Sequence, residues 1–97
     1  MTEMPTPKIS EILEEEFMAP LQISAYFLAK QIGVPTSRIQ DLLHDRRQIT
    51  ADTSLRLGRF FGVSDQYFLA IQNDIEIRKL KQRHSAAYAQ IKPYQVS

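Results

Sequence analysis

The sequence predicts an all-α domain of five helices that ends in a long C-terminal helix, and three observations lead there. Apolar residues recur at three- and four-residue spacing from Ile9 to Leu80, which is the period of one helix face. These stretches are punctuated by Ser, Thr or Asp where a helix would start and by Gly or Pro where it would end. No stretch carries a strand-like alternation or a hairpin signal that rises above this pattern. A chain of 97 residues, 43% apolar and 24% charged, suits one soluble globular domain.

Residues 1–8, with Pro5 and Pro7 and little to bury, read as a flexible N-terminal tail. Residues 9–92 read as a single helical domain, and 93–97 as a C-terminal tail. Ser10 is the expected N-cap of the first helix, with Glu11 and Glu14 near its positive end. Ile9, Ile12, Leu13 and Phe17 keep helical spacing, and Pro20 closes the helix at Phe17 or Met18 by biasing its predecessor away from helical angles. Ser24 caps a second helix over 25–32, which Gly33 ends with a left-handed residue. Pro35 tolerates the first turn of a third helix reaching Leu43 or His44. A polar, basic loop over 44–49 follows. Thr50 or Asp52 caps a fourth helix, whose Leu55, Leu57, Phe60 and Phe61 are partly core-facing and which Gly62 ends. The fifth starts at Ser64 and Asp65 and reaches Ala89 or Ile91 before Pro93.

Composition narrows the chemistry. With no cysteine there is no disulfide, thiolate zinc site or cysteine nucleophile. His44 and His84 sit on different elements without ligand-like spacing to carboxylates, so no metal site or catalytic base is expected. No cofactor is implied, and enzymatic activity is disfavoured because no nucleophile or acid–base pair assembles by spacing. The apolar runs are too short to span a bilayer, and 1–8 has no signal-like apolar region, so a cytoplasmic protein with no membrane role is expected. The net charge is only +1, but it is unevenly spread. Residues 1–20 set Lys8 against Glu3, Glu11, Glu14, Glu15 and Glu16, a net of −4. Residues 30–59 set Lys30, Arg38, Arg46, Arg47, Arg56 and Arg59 against Asp41, Asp45 and Asp52, a net of +3. Such a division suggests two faces with different partners; an ordinary solvated helix face stands beside that reading.

The second and third helices form the pattern of a helix-turn-helix over 25–44. Leu28, Ala29 and Ile32 line one side of the second helix, Gly33 makes the turn, and Val34, Ile39, Leu42 and Leu43 fill the wedge between steeply crossed helices. The third helix then presents Thr36, Ser37, Arg38, Gln40 and Asp41 outward, short polar side chains plus one arginine, as a groove-entering recognition helix requires. Arg38 suits a guanine edge or a phosphate, and Asp41 a cytosine amino group or plain solvent. Arg46, Arg47 and Gln48 suit phosphates flanking the site. Ser24 and Pro35, at the two helix starts, complete the DNA-facing set. The alternative is a helical hairpin in a small bundle that never meets DNA. In the fifth helix, Phe68, Leu69, Ile71, Ile75, Ile77 and Leu80 exceed what one short face of a monomer buries, which points to a homodimer interface carried by Phe68, Ile71, Ile75 and Leu80. The alternative is that they close the monomer's own core. Tyr67 and Phe68 read as packing aromatics, and Phe27, if exposed, as a partner contact.

Residues 21–77 resemble the HigA branch of the Xre/Cro-like (lambda-repressor-like) helix-turn-helix family, antitoxins of host-inhibition-of-growth toxin–antitoxin modules. The likeness rests on Leu28-Ala29-Lys30, Gly33-Val34-Pro35 with Arg38-Ile39, Arg46-Arg47-Gln48-Ile49-Thr50, Ala51-Asp52-Thr53-Ser54-Leu55-Arg56-Leu57 and Phe61-Gly62. The segment from Glu11-Ile12-Leu13 through Glu16-Phe17 to Pro20-Leu21 resembles the branch's opening. The resemblance implies a five-helix DNA-binding domain that binds double-stranded operator DNA, represses its own operon and neutralises a HigB-type messenger-RNA endonuclease. Glu11, Glu14 and Glu15 would suit such a basic partner. The other readings are a stand-alone Xre-type regulator without a toxin, and a helical interaction module. Ala25 stands where the family commonly has a phosphate-clamping Gln, Phe27 where relatives are often basic, and Phe68 where they often carry Trp. Asp45 replaces a usual glycine after the recognition helix, which demands unusual backbone angles or a shifted turn.

Overall fold

The computed structural model describes residues 6–95; most of the expected N-terminal tail and the end of the C-terminal one lie outside them. The five expected helical units are present among the described residues, and the first and last are interrupted. The first runs as α1 (Ile9–Ile12), a π-helical stretch (Leu13–Met18) and α2 (Ala19–Leu21). Pro20 therefore sits inside the unit and does not close it at Phe17 or Met18. The widened π-helical turn ahead of it relieves the clash that a proline ring makes with the preceding turn of an α-helix. Gln22, left-handed at φ 55°, ends the unit, and the Ile23 N–H closes it on the Met18 carbonyl at 3.2 Å. Ser10 is not the N-cap. Lys8 occupies that position, and Ser10 is buried within α1.

The middle of the chain follows its local signals. In α3 (Ala25–Ile32) the Ser24 hydroxyl accepts the Phe27 N–H at 3.0 Å, and Gly33 ends the helix at φ 76°. In α4 (Thr36–Leu43) the cap residue is Pro35, in extended conformation. In α5 (Ala51–Phe61) the Thr50 hydroxyl accepts the Thr53 N–H at 3.3 Å. The fifth unit begins at Tyr67, later than expected, because the Val63 N–H bonds back to the Gly58 carbonyl and the Tyr67 N–H to that of Ser64. It divides into α6 (Tyr67–Arg83) and α7 (Ser85–Ala89) at His84, whose φ of −127° and ψ of 31° leave the helical range. The long helix thus stops short of Ala89, and Tyr88 turns back to share an apolar groove with Ile77 and Leu80 of α6.

One core joins these elements: Leu13 and Met18 from the first unit, Leu28, Ala29 and Ile32 from α3, Ile39 and Leu42 from α4, then Ile49, Leu57 and Phe68. Phe17 contributes the aromatic part, with ring centroids 4.9 Å from Phe68, 5.1 Å from Phe61 and 5.8 Å from Tyr67. The α5–α6 junction is close. A Cβ on Gly58 would stand 2.5 Å from the Ser64 carbonyl oxygen, and the buried Ser54 hydroxyl donates to the Asp65 carbonyl and accepts the Leu69 N–H.

Burial revises two expectations. Leu55 is exposed, while Leu57, two residues on, is fully buried. Phe68 and Ile75, expected at a dimer interface, lie in the monomer's own interior, Phe68 with no exposed surface and Ile75 with 7%. A side chain already sealed by Phe17, Phe61 and Tyr67 has no apolar area left to bury against a second copy. Ile71 and Leu80 are half-buried, and Ile77 between them is exposed.

Candidate nucleic-acid interface

The α3–Gly33–α4 unit is built as the sequence suggests. Ile39 is fully buried, Ala29 lets α3 approach, and Val34 packs against the core beside them. The Gly33 turn is closed by the Val34 N–H on the Ala29 carbonyl at 3.0 Å. The inward commitment of Ile39 and Leu42 turns Ser37 and Gln40 to solvent on α4, with Thr36, Arg38 and Asp41 half-buried beside them. Ser24 and Pro35 are exposed at the starts of the two helices, although the Ser24 hydroxyl is already engaged as a cap.

The cations of this surface differ in how free they are. Arg38 donates to Asp52 at 3.1 Å, and its side chain is only 28% exposed. Arg46 donates from Nε to Asp41 at 3.1 Å but remains 63% exposed, so this is a solvated pair of small stabilising value. Arg47 and Gln48 are exposed and make no side-chain hydrogen bond among the described residues. Asp41 thus faces Arg46 within the surface, and Arg38 is held by a carboxylate of the next helix.

The turn carrying these arginines is more constrained than its polar sequence suggests. The Arg46 N–H bonds to the Asp41 carbonyl at 2.8 Å and the Asp45 N–H to that of Leu42 at 3.2 Å, the pair of bonds that ends a helix on a left-handed residue. That residue is Asp45, at φ 61°. The unusual backbone angle anticipated there is present, without a shifted turn. The Asp45 carboxylate accepts the Ser10 hydroxyl at 2.6 Å and the Lys8 ammonium at 3.3 Å. The Ser10 hydrogen bond, assisted by Lys8, holds its carboxyl below the usual carboxylate range against a smaller opposing effect of burial. At the far end of the turn, the Gln72 side-chain amide of α6 accepts the Ile49 N–H at 2.6 Å and donates to the Ile49 carbonyl at 2.8 Å.

Sequence reasoning missed Ser10, Gln72 and Asp52 in these roles, and with them Arg56, whose Nε donates to the same Asp52 carboxylate at 3.0 Å. The four-residue spacing of Asp52 and Arg56 was a legible signal. The contacts of Ser10 and Gln72 span 35 and 23 residues, and no local pattern reports them. Glu11, Glu14 and Glu15 are exposed on the first helical unit, with Glu16 beside them, and none forms an ion pair among the described residues.

A helix-turn-helix family model matches residues 7–68. The sequence is 42% identical over 80 residues to Virulence-associated protein I of Dichelobacter nodosus, covering 82% of this chain and 74% of that protein. The chain therefore belongs to the helix-turn-helix family. Its fold matches an addiction module antidote protein of a HigA family from Coxiella burnetii, with a TM-score of 0.81 and 35% identity over 94% of this chain and 100% of that one. It also matches the Pseudomonas aeruginosa antitoxin HigA with higBA promoter, with a TM-score of 0.80 and 27% identity over 94% and 100% of the two chains. The resemblance to HigA antitoxins read from the sequence, and the all-α fold with it, are borne out.

Proposed function

We propose that this chain is an antitoxin that binds double-stranded operator DNA, represses its own operon and neutralises a HigB-type messenger-RNA endonuclease. The observation that carries the DNA reading is the α3–Gly33–α4 unit, with Ser37 and Gln40 outward on α4 and Arg46, Arg47 and Gln48 on the turn beyond it. The likeness to an antitoxin whose structure includes its promoter supports it. In this reading α4 enters the major groove, Thr36, Ser37, Arg38 and Gln40 meet base edges, and Ser24, Arg46, Arg47 and Gln48 meet phosphates. A twofold protein places two such helices one DNA turn apart, and the exposed Ile77 with the half-buried Leu80, one helical turn apart on α6, offer the face for a homodimer. The toxin reading rests on Glu11, Glu14 and Glu15, exposed and in no ion pair among the described residues, whose charge complements a basic ribonuclease.

Salt titration of duplex binding tests the DNA half. A dimer neutralising about 6–8 phosphates gives a log–log slope near −5 to −7, and no duplex binding at low salt rejects the proposal. Charge reversal at Glu14 to Glu16 tests the toxin half: binding of the co-purified toxin at low salt is expected to fall, and an unchanged affinity removes that contact.

A further inference from the structure

We infer that Ser10 and Gln72 are positioning residues for phosphate contact: from two other helices they hold the turn 45–49 in the shape that presents Arg46 and Arg47. The inference rests on the DNA-binding reading above and assigns these two residues a part in it.

Three observations carry it. Asp45 adopts a left-handed backbone without being glycine, a conformation disfavoured by Cβ contact with the following carbonyl. A conformation of that kind persists where the surroundings over-determine it. Those surroundings are specific here: the hydroxyl of Ser10, a buried residue, donates to one carboxylate oxygen and Lys8 to the other. The second anchor is Gln72, whose amide meets both backbone groups of Ile49 as an adjacent strand would, and Ile49 is itself buried. Between the two anchors lie Arg46, Arg47 and Gln48, all exposed. A turn held at both ends presents its guanidiniums at low entropic cost, because the backbone is ordered before the phosphates arrive. Ser10 lies in the same helical unit as Glu11, Glu14 and Glu15, so this clasp also joins the acidic face to the basic turn.

The test is a double-mutant cycle on the full chain, read by fluorescence anisotropy with a mixed-sequence duplex at low salt. Arg46→Ala/Arg47→Ala is expected to weaken binding about tenfold and to flatten the salt slope. Ser10→Ala and Gln72→Ala each weaken it about three- to fivefold in the parent chain, and less than about twofold in the double-arginine background. Ser10→Thr, which keeps the hydroxyl, restores binding to within about twofold. Circular dichroism at the assay temperature confirms that each variant is folded, and Gln72→Ala carries the test should Ser10→Ala unfold. Equal losses with and without the arginines would show a general structural role and overturn the inference. So would parent-like binding by both Ser10→Ala and Gln72→Ala. If the double-arginine variant itself binds as the parent does, the phosphate reading of the turn fails, a result separable from failure of the clasp alone.

Discussion

Arg38 on α4 donates through Nη1 to the Asp52 carboxylate at the head of α5, across 3.1 Å. The same carboxylate oxygen accepts Arg56 Nε at 3.0 Å, and Arg56 Nη1 continues to the Ile32 carbonyl at 2.8 Å. The arginine expected to read bases is therefore part of a chain of contacts joining the ends of α3, α4 and α5. A carboxylate on this surface competes with a phosphate or a guanine edge for the same guanidinium.

Asp52→Asn is accordingly expected to tighten duplex binding about two- to threefold at low salt, since it removes one negative charge from the face proposed to meet DNA. The stability change is small, because exposed ion pairs contribute about 0–1 kcal/mol. Anisotropy titration and thermal melting measure the two effects. A weaker complex would mean that Asp52 aims Arg38 at the DNA.

Gly33→Ala strains the turn of the motif. The residue stands at φ 76°, and a Cβ there would lie 3.2 Å from Arg56 Nη1, the atom bonded to the Ile32 carbonyl. Stability is expected to fall by about 1–2 kcal/mol for the left-handed alanine alone. A lowered urea midpoint is the readout, and an unchanged one would contradict the geometry.

Acidification probes the Asp45 clasp. Its carboxyl is held below the ordinary value of 3.8 by Ser10 first and by Lys8, with Lys79 adding a favourable charge and Glu76 lining the same groove. A depressed folded value means that the stabilisation is present above the unfolded pKa and is lost as the pH falls through the folded one. Asp45→Asn tolerates the left-handed backbone but carries no charge. The parent should exceed this variant in denaturant midpoint near neutral pH, and the gap should close as the pH falls below the ordinary value of 3.8 and through the depressed folded one. A gap that persists in acid would place the difference elsewhere.

Burial separates two apolar positions of α6. Phe68→Ala removes a fully buried ring and is expected to cost about 3–5 kcal/mol in the folded monomer. Ile77→Glu alters an exposed side chain and should leave helical content intact; if the proposed homodimer uses this face, it should also shift sedimentation from dimer to monomer. Sedimentation velocity at matched concentrations decides, and an Ile77→Glu protein of unchanged mass would move the interface off this face.

The frame of the interface was legible because its signals are local. Ser24, Gly33, Thr50 and Gly62 act on backbone groups a few residues away, and the spacing of Leu28, Ile32, Ile39 and Leu42 dictates which sides of α3 and α4 turn inward. The same local rules misplaced Ser10 as a cap and let Pro20 end a helix that continues past it. The hydroxyl of Ser10 has a remote partner, and the π-helical turn before Pro20 admits a residue that an ideal α-helix rejects. Apolar count also overstated the surface of α6, because the aromatic space offered by Phe17 and Phe61 cannot be summed from one helix.

What the sequence by itself determined is the helix-turn-helix: five helical units, the turn glycine, and a basic loop behind an outward polar face. These follow from periodicity and capping, whose range is a single turn of helix. What only the tertiary structure decided is which charges are free. Asp52 engages Arg38, Asp41 engages Arg46, and Ser10 and Gln72 fix the loop around Arg47, because side-chain contacts between elements depend on how the helices pack. That packing is set by burying Leu13, Leu57 and Phe68 in one core, a condition on the whole chain that no window of residues contains.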